Sequence, residues 1–218
     1  MIITIDGPSS VGKGTMALLL ADSLDFELLD SGALYRVVAL QAQNQGCDLA
    51  NATELANIAR NLDVEFATDQ EQRQVRVLLG GRDVSKDIRN EKIAGAASQV
   101  ASVPEVRKAL LQRQRDFADG RGLIADGRDM GTVVFPSADV KFFLVASAKQ
   151  RAKRRAKQLN IKQDSDTMRA FQEEIERRDA RDVQRSEAPL KPAMDSITID
   201  TSHMSIDQVL DKMLEVIK

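Results

Sequence analysis

Tryptophan is absent from this 218-residue chain, aromatic residues make up only 4% of it, and it has one cysteine, one histidine and one tyrosine. Each scarcity excludes something. A single cysteine, Cys47, allows no intrachain disulfide and fits a reducing compartment. With only His203 beside it, there are too few ligands for a structural zinc site. So few rings argue against a surface that stacks the successive bases of a single strand. No long apolar run offers a membrane span, and no basic, apolar leader precedes what reads as a core strand directly after Met1. The expected location is therefore the cytoplasm. A net charge of −2 argues against a nucleic-acid polymer or a membrane surface as partner. With 43% hydrophobic and 29% charged residues, the chain reads as one domain with a sizeable core, expected to be a monomer.

What is present begins at residue 2. Ile2-Ile3-Thr4-Ile5-Asp6 is a short β-branched strand, followed by Gly7-Pro8-Ser9-Ser10-Val11-Gly12-Lys13-Gly14-Thr15 and an apolar-periodic helix from Met16 to Leu24. Gly-x-x-x-x-Gly-Lys between a strand and a helix is the context a phosphate-binding loop requires. The glycines let successive N–H groups turn inward on an anion, and the helix adds its unpaired first-turn amides. Lys13 supplies a cation to the outer phosphates. Gly14 stands where the general motif has Ser or Thr, with Thr15 one place later, so no direct hydroxyl ligand to Mg²⁺ is expected from that position.

Further along, a short strand at Phe26–Leu29 ends at Asp30-Ser31-Gly32, where Asp30 or Ser31 can cap a helix running to about Gly46. A helical stretch from Glu54 to Leu62 follows. Apolar–polar alternation at Val64, Phe66, Val75, Val77 and Leu79, with Gly80-Gly81 before Val84, then predicts an antiparallel meander inserted at about 63–89. Helices are expected at Ala94–Ala101 and Val106–Ala118, broken at Pro104. Strands are expected at Gly122–Asp126, Val140–Val145 and Ile197–Asp200, and helices at about Ser147–Leu159, Thr167–Val183 and Ile206–Ile217. Alternating strands and helices predict an α/β protein: a three-layer α/β/α P-loop fold around a mostly parallel five-stranded sheet, carrying a small antiparallel β insert.

Charge is unevenly placed. Lys149–Arg185 holds twelve basic against seven acidic residues, a net of +5 that leaves −7 elsewhere. Two arginine-rich helices around a polar loop (160–166) suggest a lid that excludes water and adds cations over polyphosphate. Interleaved acids such as Glu173, Glu174, Glu176, Asp179 and Asp182 argue against a nucleic-acid tract. Asp30–Arg36 and Asp126–Gly131 both follow strands at their carboxyl ends, the edge where open α/β sheets bind ligands. The second of these presents Arg128-Asp129 between glycines.

Taken together, these residues resemble the bacterial cytidylate kinases from end to end. The resemblance rests on Thr4–Ser9 with Gly12-Lys13-Gly14-Thr15, on Leu29-Asp30-Ser31-Gly32 with Tyr35-Arg36, and on Ala97-Ser98-Gln99-Val100. It extends over Leu123–Pro136, the arginine helix and Ala188-Pro189-Leu190. It implies transfer of the γ-phosphoryl group of ATP, with Mg²⁺, to CMP or dCMP in pyrimidine nucleotide metabolism. Gly7 to Thr15 would hold ATP together with lid residues Arg151 and Arg155, the lid spanning about 151–166. Arg36, Arg128 and Arg185 would grip the monophosphate and, with Lys13, stabilise the transferred group. Ser98, Arg107 and Asp129 would read cytosine, Arg178 and Asp182 would meet the sugar, and Asp30, Ser31 and Tyr35 would line the acceptor site. The insert would be the monophosphate-binding subdomain. No metal ligand is assigned from the sequence, which leaves open whether Thr15 and Asp126 meet Mg²⁺ directly or only through water.

The chemistry is consistent. Phosphoryl transfer needs alignment and charge neutralisation more than covalent help, and the acceptor oxygen is already anionic, so no placed histidine is required. Arginine donates two parallel bonds to phosphate and keeps its proton. A carboxylate can accept from cytosine's exocyclic amine but not from uracil's carbonyl. Two rivals remain: a P-loop kinase with another acceptor, such as UMP or a non-nucleotide metabolite, and a nucleotide-binding regulatory module or GTPase-like switch. The second lacks an Asn-Lys-x-Asp guanine-reading motif.

Overall fold

The computed structural model describes residues 1–69, 74–159, 161 and 164–217. In chain order its elements are β1 (Ile2–Asp6), α1 (Lys13–Leu24), β2 (Glu27–Asp30), α2 (Ser31–Gln45), α3 (Ala52–Arg60), β3 (Val64–Asp69), β4 (Gln74–Leu79), β5 (Arg82–Asp83), a 3₁₀ turn (Asp87–Arg89), α4 (Glu91–Val100), α5 (Pro104–Arg115), β6 (Leu123–Gly127), a π turn (Met130–Val134), β7 (Val140–Val145), α6 (Ala148–Gln158), α7 (Ser165–Gln184), β8 (Ile197–Asp200) and α8 (Ile206–Ile217). The chain divides into two compact units, Met1–Leu28 with Gly120–Lys218, and Leu29–Asp119.

The first unit carries most of a five-stranded sheet ordered β2-β6-β1-β7-β8, β2 running across the division. β1 pairs in parallel with β6 from Ile2↔Leu123 to Asp6↔Gly127, and with β7 from Ile3↔Val140 to Asp6↔Phe143. β7 in turn pairs in parallel with β8 from Phe142↔Ile197. Parallel strands covered on both faces need unbroken apolar runs, and Ile3, Ile5, Leu123, Ile124, Ala125, Phe142 and Leu144 are all buried. This register has a functional consequence. Because Asp6 stands opposite Gly127, the carboxyl ends of β1 and β6 coincide, and the loops that leave them emerge on one edge.

In the second unit, α2 packs on α4 and α3 on α5. Caps fix the helix starts: Asp30 accepts from Ala33 N, Asn51 from Glu54 N and Asn90 from Ile93 N. A three-stranded antiparallel sheet, β3-β4-β5, forms within residues 64–83. Gly80 and Gly81, at φ 54° and 76°, make the two-residue turn from β4 to β5 that only left-handed backbone allows. Phe66 meets Phe117 edge-on, with ring centroids 5.7 Å apart.

Several boundaries differ from the sequence expectations for local reasons. β2 starts one residue late because Phe26 packs on Gly122, where an added Cβ would sit 2.2 Å from the ring. The helix expected from Ala94 starts at Glu91 behind the Asn90 cap. The helical run is interrupted before Pro104 as expected, and α5 starts at Pro104 itself, two residues before the expected Val106, because a proline in the first turn has no N–H to lose. α7 starts at Ser165 behind Asp164, which accepts from Thr167 N. The 3₁₀ and π turns carried no periodic signal.

Candidate active site

The loop after β1 is held from outside by its arginines. An added Cβ on Gly7 would lie 2.3 Å from the Leu144 carbonyl oxygen, so only glycine lets the loop leave β1 this close to β7. Arg151 Nη1 donates to Ser9 O at 3.2 Å, and Arg154 Nη1 donates to Val11 O at 2.9 Å. Carbonyl and N–H point in opposite directions across a trans peptide, so binding those two carbonyls from outside aims the N–H groups of Ser10 and Gly12 the other way, into the loop. Arg151 is itself fixed by Ala146 O at 3.0 Å and Asp179 Oδ2 at 2.6 Å, and Arg154 also donates to Thr201 Oγ1 at 2.9 Å. Arg155 is buried and donates to Gln158 Oε1 at 2.7 Å.

Lys13, buried on the first turn of α1, donates to Pro8 O at 3.0 Å and lies 4.0 Å from Asp126 Oδ1. Burial, with the Arg128 charge, pulls its ammonium down to about 8, while Asp126 and Asp6 oppose the shift. The loop after β6 is tied to β1 by Asp6, whose two carboxylate oxygens accept from Met130 N at 2.9 Å and Gly131 N at 2.8 Å. Burial raises the Asp6 carboxyl to about 6 despite those two donors.

That anchoring leaves Arg128 projecting beside the phosphate loop. Its Nη2 donates to Ser9 Oγ at 3.0 Å and its Nε to Asp182 Oδ2 at 2.8 Å. Arg185 donates to the other oxygen of Asp182. Burial alone would raise the Asp182 carboxyl, but Arg128 and Arg185, helped by Arg178, outweigh it and hold it below the ordinary carboxylate range. One buried carboxylate thus holds two guanidinium groups at the loop's edge. Arg128, Asp129, Arg178, Asp182, Arg185, Arg151, Arg155 and the Gly7–Thr15 loop all belong to the first unit.

The remaining expected residues belong to the second unit. Asp30 caps α2, and Ser31 Oγ donates to Gln114 Oε1 at 2.6 Å. The Arg107 guanidinium lies 5.5 Å from the centre of the Tyr35 ring and donates to Ala101 O at 3.1 Å. Arg36 Nη1 donates to Ile88 O at 2.8 Å. Among the described residues, Ser98 Oγ, buried on α4, has no hydrogen-bond partner.

Sequence reasoning did not single out Asp6, Gln114 or Asp179. Asp6 looked like the end of an apolar strand and Gln114 like one polar residue among many on α5; only burial distinguishes them. Within the lid, residues 160, 162 and 163 lie outside the described residues. His203, past the last strand, is exposed at the surface. A divalent cation is compatible with what is here. Asp126 Oδ2 lies 3.4 Å from where a Gly14 Cβ would be, and Thr15 is exposed on the first turn of α1. Among the described residues no group of three or more His, Cys, Asp or Glu could enclose a metal. Two oxygen-bearing side chains without a cage suit Mg²⁺, which keeps several waters and is held largely by phosphate oxygens.

The sequence model of the cytidylate kinase family matches residues 3–218. The cytidylate kinase of Pseudomonas syringae pv. tomato is 55% identical over 216 residues, covering 99% of this chain and 94% of that protein. Cytidylate kinase 1 of Haemophilus influenzae is 54% identical over 218 residues, covering 100% of this chain and 94% of that protein.

Proposed function

This chain belongs to the cytidylate kinase family, and from that premise we propose that it transfers the γ-phosphoryl group of ATP to CMP or dCMP, giving ADP and CDP or dCDP. The observation that carries the reading is the Arg128–Asp182–Arg185 cluster beside the phosphate loop. Two guanidinium groups sharing one buried carboxylate form a ready anion site, in which an incoming phosphate takes over donors that Asp182 held.

The residues divide the work. The inward amides of Ser10 and Gly12, with those of the first turn of α1, receive the polyphosphate, and Lys13 turns from Pro8 O to the transferred group. Arg128, Arg185 and Arg36 neutralise the acceptor phosphate and the charge that builds on the group in flight. Asp182, relieved of part of its arginine contact, accepts from a sugar hydroxyl beside Arg178. Ser98, Arg107 and Asp129 read the base: the Asp129 carboxylate accepts from the cytosine amine, and the Ser98 hydroxyl and Arg107 donate to the ring acceptors. Asp30, Ser31 and Tyr35 line the acceptor site. Arg151 and Arg155 belong to a lid over ATP, and Arg151 already holds the loop backbone. Mg²⁺, held through water by Asp126 and Thr15, would supply charge neutralisation across the donor's phosphates. No helix among the described residues is long and apolar enough to cross a membrane. We place the enzyme in the cytoplasm, acting as a monomer on free nucleotides.

Arg36→Ala and Arg185→Ala test the assignment. Each should lower kcat/KM for CMP by roughly a hundredfold or more, the cost of a charged bidentate phosphate contact, and leave ATP affinity within a few-fold. Undiminished CMP turnover in either variant would remove that residue from the acceptor site.

A further inference from the structure

Gln114 is a glutamine with no place in the scheme above, yet it is among the most buried polar residues of the chain, at 1% exposure. It lies two turns beyond Arg107 on the face of α5 that also buries Val106 and Leu110. Its two contacts fix the sense of its amide. Nε2 donates to Leu110 O at 3.4 Å, and Oε1 receives the Ser31 hydroxyl at 2.6 Å. A carbonyl oxygen cannot donate, so the single proton of Ser31 is committed to Gln114, and only lone pairs remain on Oγ. One turn along α2, Tyr35 carries the Arg107 guanidinium over its ring. α5 therefore sets two nucleotide-site residues at once: Arg107 reaches Tyr35, and Gln114 fixes Ser31.

We propose that Gln114 is a specificity-determining positioning residue: by holding the Ser31 proton it makes Ser31 a hydrogen-bond acceptor toward the nucleotide, matched to the exocyclic amine of the base. The inference rests on the kinase reading and deepens it. With its proton committed, Ser31 cannot donate to a phosphate oxygen or to the carbonyl that uracil carries in place of the amine. A free serine hydroxyl would rotate and accept either base; one anchored by a buried amide accepts only the amine. This gives a reason for the chain to bury a glutamine amide, a group costly to remove from water unless its hydrogen bonds are met.

The test compares kcat/KM for CMP, dCMP and UMP at saturating ATP and Mg²⁺ in the wild type, Gln114→Met, Gln114→Glu, Ser31→Ala and the Ser31→Ala/Gln114→Met double variant. Gln114→Met fills the same space but frees the hydroxyl, and should lower the CMP:UMP ratio by about tenfold, the worth of one hydrogen bond. Gln114→Glu still takes the proton and should keep the ratio within about threefold of wild type. Ser31→Ala should lose the same discrimination, and Gln114→Met should change the ratio no further in that background. The proposal is overturned if CMP and UMP rates fall together in Gln114→Met, if Ser31→Ala leaves the ratio intact, or if the CMP:dCMP ratio moves in its place. A wild-type protein that does not phosphorylate CMP would overturn the kinase reading itself.

Discussion

Exchanging the Asp182 carboxylate for an amide, Asp182→Asn, should damage the free protein more than the nucleotide-bound one. Asp182 is 3% exposed and receives Arg128 Nε at 2.8 Å as well as Arg185. Removing the negative partner of a buried ion cluster leaves uncompensated cations and costs about 3–5 kcal/mol. The Arg128 side chain retains 21% exposure, which lets water screen part of that, so about 3 kcal/mol is expected. For a chain of this length that lowers Tm by roughly 6–12 °C. Inorganic phosphate should then stabilise the variant more than the wild type, because in the wild type an anion must displace the carboxylate before it gains the two guanidinium groups. The wild-type contribution also has a definite pH window. Its folded-state pKa is depressed, so the stabilisation is complete above the unfolded value near 4 and is lost as pH falls below it. The assay is a thermal melt of both proteins with and without phosphate. A variant that melts within about 1 °C of wild type, or equal phosphate stabilisation of the two, would refute the anion-exchange reasoning.

Two further outcomes follow from the same geometry. With the Lys13 ammonium brought down to about 8, kcat/KM for ATP should fall as pH rises through that value in the free enzyme; Lys13→Arg should remove this alkaline decline, and Lys13→Ala should abolish transfer, both read from initial rates across pH 6.5–9.5. Gly7→Ala, which forces a Cβ to 2.3 Å from Leu144 O on a backbone at φ 150°, should displace the loop; ATP affinity should drop by an order of magnitude or more in a calorimetric titration, and unchanged affinity would contradict the close-approach argument.

The parts legible in the sequence were those with a repeating or punctuated pattern. β1 and β6 announced themselves as apolar runs, the phosphate loop by its glycines and lysine, and the β4–β5 turn by Gly80-Gly81. The run from Leu123 to Pro136 carried the family resemblance. Pairings across long separations were not legible. Nothing local in Asp6 says that it accepts two amides 124 and 125 residues away, nor in Arg154 that it holds Val11 O. Gln114 shares its helix with Gln112, Arg113 and Arg115, and only the tertiary fold distinguishes the buried one. The arginine tract read as a lid from its charge alone. In the structure, two of its arginines are already occupied with the loop's carbonyls, because backbone oxygens turned out of an anion nest need donors of their own.

The central claim, that this chain phosphorylates a cytosine nucleotide, is tested most directly by ADP formation from ATP and Mg²⁺ with CMP, dCMP, UMP, AMP, GMP or no acceptor, measured side by side. The account predicts fast turnover with CMP and dCMP, far slower turnover with UMP, and only background with the purines or without acceptor. Equal rates with UMP, or ADP release independent of any acceptor, would contradict it.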